Sequence, residues 1–116
     1  ICATFSCPYF SVTQFSTRPR PSSSIKHVVF TQDWHPQGHI SFASSHPGKA
    51  PYSTIDVSYG KQVLWPEHCV QNTVGAEFAD GLNTENGDCF VKKGAHSDID
   101  SYSAFLEADR KTKTDL

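Results

Sequence analysis

Five side chains in this sequence have the types and spacing to hold a divalent cation or steady a developing charge. Asp33, His35 and His39 fall within seven positions, in QDWHPQGH, and His68 follows in WPEHC. A carboxylate and imidazoles are hard-to-borderline ligands suited to one divalent metal. In an extended segment residues i and i+2 share a side, so Asp33 and His35 converge while Trp34 turns away. Pro36 and Gly38 then break the run and let the chain curl, which brings His39 back toward the same point. Lys93 ends an apolar run, Cys89-Phe90-Val91, so its ammonium is expected to sit partly desolvated at a strand end. Spacing alone also admits a plainer reading, in which Asp33 caps a turn, His35 is a hydrogen-bonded loop residue and Lys93 is a surface lysine like Lys92. A mixed oxygen and nitrogen site suits Zn²⁺ first, with Fe²⁺ or Mn²⁺ as alternatives.

These groups need elements to hold them. Ile25 to Thr31 is nearly continuous in apolar character around Val28-Val29-Phe30, which predicts a strand buried on both faces, as in a parallel sheet. Asp33 and His35 then lie just past its carboxyl end, the edge where open α/β sheets bind ligands. Residues 43 to 64 read as a long loop, with turn signals at Pro47-Gly48 and Ser58-Tyr59-Gly60. Val70, Val74, Phe78 and Leu82 recur every four residues, which predicts a helix over 70–82 capped at Asn72 or Thr73. Cys89 to Val91 is a second strand delivering Lys93. Strand, loop, helix, strand is half of a doubly wound layout.

Composition narrows the class. With 116 residues, 37% hydrophobic and 19% charged, there is room for one small globular domain. A net charge of −2 argues against nucleic acid or an anionic membrane surface as partner. The apolar runs are strand-sized, too short to span a bilayer as a helix. Cys2, Cys7, Cys69 and Cys89 form no compact framework and no CxxC pair, so buried thiols in a reducing, intracellular (cytoplasmic) setting are expected. Residues 1–24 hold six serines, three prolines, two arginines and no acid, a composition of a disordered, unplaced leader. The chain has no methionine and opens on Ile1, which predicts a piece of a longer polypeptide.

The blocks QDWHPQGHISFA, PYST, LWPEHCVQNTVGAEF and VKKG followed by DSYSAF occur in order over roughly residues 26 to 116. Together they resemble the nicotinamidase (pyrazinamidase) family of isochorismatase-like hydrolases. The resemblance implies an α/β domain with a doubly wound parallel sheet, of which residues 25–116 are a part that lacks the first strand and the C-terminal half. It implies hydrolysis of nicotinamide to nicotinate and ammonia, in NAD salvage, by a metal-assisted Cys-Asp-Lys triad. Asp33, His35 and His68 are then the metal ligands, with His39 used by some relatives and replaced by water in others. Lys93 is the triad lysine, supporting the acid–base pair and charge built up in the reaction. Trp65 and Tyr102 wall the pocket for the flat pyridine ring, against the general expectation that an aromatic pair is core. Cys69 is buried structure rather than the attacking thiol, and His27, His46 and His96 are incidental.

Two family blocks have no counterpart here. The aspartate that accepts the thiol proton lies in an Asp-x-Gln-x-Asp-Phe block, whereas no acid precedes Asp33 in this sequence. The nucleophilic cysteine lies in a block like Ala-Thr-Asp-Tyr-Cys-Val, and no cysteine follows Lys93. The expectation is a partial nicotinamidase that is inactive alone. The competing readings are a non-catalytic metal-binding fragment or splice form, and another isochorismatase-like hydrolase. Those relatives generally lack the Asp-x-His loop, so Asp33 and His35 weigh against the last.

Overall fold

The computed structural model describes residues 27–85 and 87–116. The serine- and proline-rich leader and the expected start of the first strand at Ile25 lie outside them. Two strands distant in sequence, β1 (Val29–Asp33) and β4 (Cys89–Lys93), pair in parallel. Valines and a phenylalanine at their starts favour a pleated surface, and Thr31 and Val91 point to the buried side. The register runs from Val29 opposite Cys89 to Asp33 opposite Lys93. The first strand therefore reaches two residues beyond the predicted end at Thr31. Asp33 is its last residue instead of lying past it, because the partner strand extends pairing through Gln32 and Asp33.

The expected loop over 43–64 is a correction. It contains a hairpin, β2 (Thr54–Val57) and β3 (Gly60–Val63), paired antiparallel about a two-residue turn at Ser58-Tyr59. Gly60, which opens β3 next to that turn, has φ +128°, a conformation that glycine adopts freely. Beyond β3 the chain enters the core. Leu64 is fully buried, and Trp65 forms a parallel bridge with Phe42.

The helix predicted over 70–82 is not formed. Only a 3₁₀ turn, Val74–Ala76, interrupts irregular chain, and Val74 at the centre of the supposed apolar stripe is 79% exposed. Tertiary pairing overrides the periodicity. His35 and Val70 form a parallel bridge, the His35 amide donates to the Cys69 carbonyl (2.9 Å), and the Gln71 amide donates to the His35 carbonyl (2.8 Å). Cys69 and Asn72 take left-handed φ values of 48° and 62°, which no helix accommodates. Thr73 bonds back to the Val70 carbonyl rather than capping a helix. Phe78 instead packs edge-on against Phe30 and beside Phe90, covering the start of the sheet.

The centre of the structure is Phe42, fully buried together with Leu64, Val91, His35, His39, Ser41 and Gln62. More than half of that inner set is polar, so its side chains must satisfy one another. No helix among the described residues is long and apolar enough to cross a membrane. Phe42→Ala is expected to cost about 3–5 kcal/mol, the range for deleting a buried aromatic ring. Denaturant unfolding of the two forms measures it.

Candidate metal centre and aromatic pocket

The carboxyl ends of β1 and β4 bring Asp33 and Lys93 together. Asp33 and Lys93 face each other across the parallel register, and the Lys93 ammonium donates to Asp33 Oδ1. Lys93 also donates to the Ser101 carbonyl at 3.1 Å, and its side chain is 5% exposed. The lysine is thus desolvated and held by a carboxylate and a carbonyl, as a buried ammonium requires. Its neighbour Lys92 points outward over the Trp34 ring, 3.6 Å from the centroid. That contact shows Trp34 turned away from the Asp33–His35 side.

Three imidazoles collect around Phe42. The His35 ring lies 4.2 Å from that of His39 and 4.9 Å from that of His68. Each sits 5.5–5.7 Å from the Phe42 ring. Burial and the neighbouring imidazole of His39 push the His35 pKa down to about 4, against a smaller opposing effect of its bond to the Gly94 carbonyl. Burial lowers His39 as well. Both rings are neutral at pH 7, and a neutral ring is the one with a lone pair to give a metal.

Which nitrogen keeps that lone pair follows from the partners. His35 Nδ1 lies 2.9 Å from the Gly94 carbonyl, and His68 Nδ1 lies 2.8 Å from the Pro66 carbonyl. A carbonyl only accepts, so both Nδ1 atoms carry the proton and both Nε2 atoms are left with a lone pair. Backbone carbonyls orient metal-ligating histidines in this way. Gly94 makes the His35 contact possible: it has φ +62°, and a Cβ there would stand 2.5 Å from His35 Cε1.

His39 is held differently. Its Nε2 faces the Ile99 carbonyl (3.1 Å), so that nitrogen carries the proton, and its Nδ1 accepts from the Ser41 hydroxyl (2.7 Å). Both nitrogens are engaged within the protein. His35, His39 and the buried Asp100 nevertheless offer ligand atoms within 4.8 Å of one another. Proximity alone would make these three the metal group. His39 differs from His35 and His68 in that its unprotonated nitrogen, Nδ1, already accepts from Ser41. Asp100 was not singled out in the sequence; nothing local marks it, since its role arises from contacts with residues 38 or more positions away.

Trp65 and Tyr102 meet as a pair. The Trp65 indole N–H donates to the Tyr102 hydroxyl at 3.0 Å, and Tyr52 packs edge-on against Trp65. Tyr102 is 63% exposed, so the pair presents an open aromatic surface. Cys69 is buried at 8% exposure. Of the histidines set aside, His27 is exposed near Asp88, His46 bonds the Ile40 carbonyl and His96 is exposed.

Lys93→Met is expected to destabilise the chain by about 3 kcal/mol, because it strands a partly buried carboxylate. Asp33→Asn in the same chain should restore part of that loss. Unfolding free energies of the single and double variants test the coupling.

No family model matches the chain. A nicotinamidase of Acinetobacter baylyi is 57% identical over 89 residues, covering 77% of this chain and 42% of that protein. The solved Acinetobacter baumanii nicotinamidase/pyrazinamidase superposes with a TM-score of 0.77 at 56% identity, over 79% of this chain and 44% of that one. The yeast nicotinamidase Pnc1p, solved with the inhibitor nicotinaldehyde bound, gives a TM-score of 0.70 at 40% identity, over 77% of this chain and 46% of that one. The chain spans about two-fifths of the length of the curated relatives it matches. With sequence and backbone agreeing over the same three-quarters of the chain, it is similar to part of these nicotinamidases, and its paired parallel strands form part of their isochorismatase-like sheet domain.

Proposed function

We propose that this chain carries the metal-holding and ring-binding side of a nicotinamidase active site, serving hydrolysis of nicotinamide to nicotinate and ammonia. The observation that carries the reading is the convergence at one sheet edge of a desolvated Lys93–Asp33 pair and two imidazoles with free Nε2 lone pairs. Asp33, His35 and His68 would hold one divalent cation, with Zn²⁺ suiting the donor set first and Fe²⁺ or Mn²⁺ also accommodated. When bound, that ion supplies a Lewis acid to grip the pyridine nitrogen of the substrate. Trp65 and Tyr102 give the flat ring a face to stack on. The inhibitor bound to the yeast relative is a pyridine aldehyde, which supports a planar heteroaromatic ligand.

Lys93 has two tasks in this reading. Its fixed positive charge stabilises negative charge developing at the carbonyl under attack, and it supports the acid–base pair of the triad. The attack itself requires a thiolate on the amide carbon and a carboxylate to carry its proton to departing ammonia. Neither the aspartate block nor the cysteine block that supplies them in the family occurs in this sequence. The 116-residue polypeptide therefore binds metal without turning over amide.

Metal titration followed by elemental analysis is expected to give one tightly held divalent ion per chain. Asp33→Asn, His35→Gln and His68→Gln should each weaken it at least tenfold, on the order reported for altered metal-site side chains. A wild-type chain that retains no ion sinks the reading. Ammonia release from nicotinamide should stay at background, and turnover at an enzyme-like rate would defeat the claim of inactivity.

A further inference from the structure

Behind the aromatic pair lies a buried polar network that neither catalysis nor metal binding uses. Gln62, 1% exposed, projects from β3 into it. Its Nε2 donates to Asp100 Oδ2 (2.7 Å) and the Val63 carbonyl (2.8 Å), and lies 3.2 Å from the Tyr102 hydroxyl. Its Oε1 accepts from the Tyr59 hydroxyl at 3.0 Å, and that hydroxyl oxygen accepts from the Asp100 amide at 3.2 Å. Asp100 is 4% exposed, and its other oxygen accepts from the Ser101 amide at 2.8 Å.

The donors of this set limit where the Tyr102 proton can go. Trp65 Nε1–H donates and never accepts, so the Tyr102 oxygen is its acceptor, and the Gln62 amide nitrogen 3.2 Å from that oxygen is likewise only a donor. The Tyr102 proton must then find an acceptor of its own, and the Asp100 carboxylate, 2.7 Å from the same Gln62 nitrogen, is the acceptor this network offers. Asp100 can take it because Gln62 and the Ser101 amide hold its two oxygens in place. Tyr102 is mostly exposed, so packing alone does not fix its ring.

We propose that Gln62 and Asp100 are positioning residues for the ring-binding surface: acting through the Tyr102 hydroxyl, they set the angle between Tyr102 and Trp65 at which a pyridine carboxamide stacks. This rests on the substrate reading given above for Trp65 and Tyr102. The hairpin β2–β3 then has a purpose beyond connection, since it carries Gln62 to the far side of the pocket wall.

The test is the indole N–H resonance of Trp65 in the full chain, with Trp34 as internal reference. Tyr102→Phe and Gln62→Leu should each shift the Trp65 signal toward that of an unbonded indole and speed its exchange with water about tenfold. The Gln62→Leu, Tyr102→Phe double variant should go no further than Tyr102→Phe, because Gln62 acts through the lost hydroxyl. Nicotinamide affinity, read by titration on the same samples, should fall by about tenfold in each variant. If Gln62→Leu unfolds the chain, seen as collapse of the Trp34 signal, Asp100→Asn keeps the shape and is expected to give the same Trp65 shift. An unmoved Trp65 signal in the folded variants, or additive effects of the two substitutions, overturns the positioning role. A network that responds as expected in a chain that takes up no nicotinamide overturns the substrate reading instead.

Discussion

The structure depends on pairing an ammonium and a carboxylate where water is scarce. Lys93 and Asp33 are sixty positions apart, and only the parallel register of β1 with β4 sets them side by side. Desolvating either charge alone would cost several kcal/mol, so each makes the other's position tolerable. The pair also fixes what surrounds it. Lys93 ties in Ser101, the Trp34 amide donates to the Lys93 carbonyl at 2.9 Å, and Gly94 directly follows to meet His35. The sheet edge is thus closed by polar contacts rather than by apolar packing.

A second constraint is the mixed character of the interior. Phe42 and Leu64 are fully buried, yet they share that space with His35, His39, Ser41 and Gln62. Buried polar groups are tolerated when each has a partner, and here the partners are backbone carbonyls, a serine hydroxyl and a carboxylate. Three imidazoles around one phenylalanine ring share an apolar support but differ in what holds their nitrogens. That difference separates His35 and His68, whose Nδ1 atoms face backbone carbonyls, from His39, whose two nitrogens face a carbonyl and a serine hydroxyl.

Much of the site was legible because its residues are short-range. Asp33, Trp34 and His35 alternate on an extended chain, and Lys93 ends an apolar run, so both could be placed at strand ends from spacing. The parallel pairing of the two strands was readable from the same runs, whereas the helix expected between them was not there to be found. The failures were long-range. The Val70, Val74, Phe78, Leu82 stripe has helical period, but pairing of Val70 with His35 and left-handed φ at Cys69 and Asn72 outweigh it. The hairpin was masked by Pro47, Gly48 and Pro51 upstream, although Thr54 to Val57 alternates and Ser58-Tyr59-Gly60 marks its turn. Asp100 and the tautomers of the histidines follow only from contacts that three-dimensional structure creates.

Gly94 carries one more lesson. Its missing side chain is required by a ring fifty-nine positions earlier in the chain as well as by its own left-handed φ of +62°. The last letter of VKKG and the imidazole of His35 therefore share one space. A methyl group at 94 would collide with that ring and force it off the carbonyl that orients it, with no other residue changed.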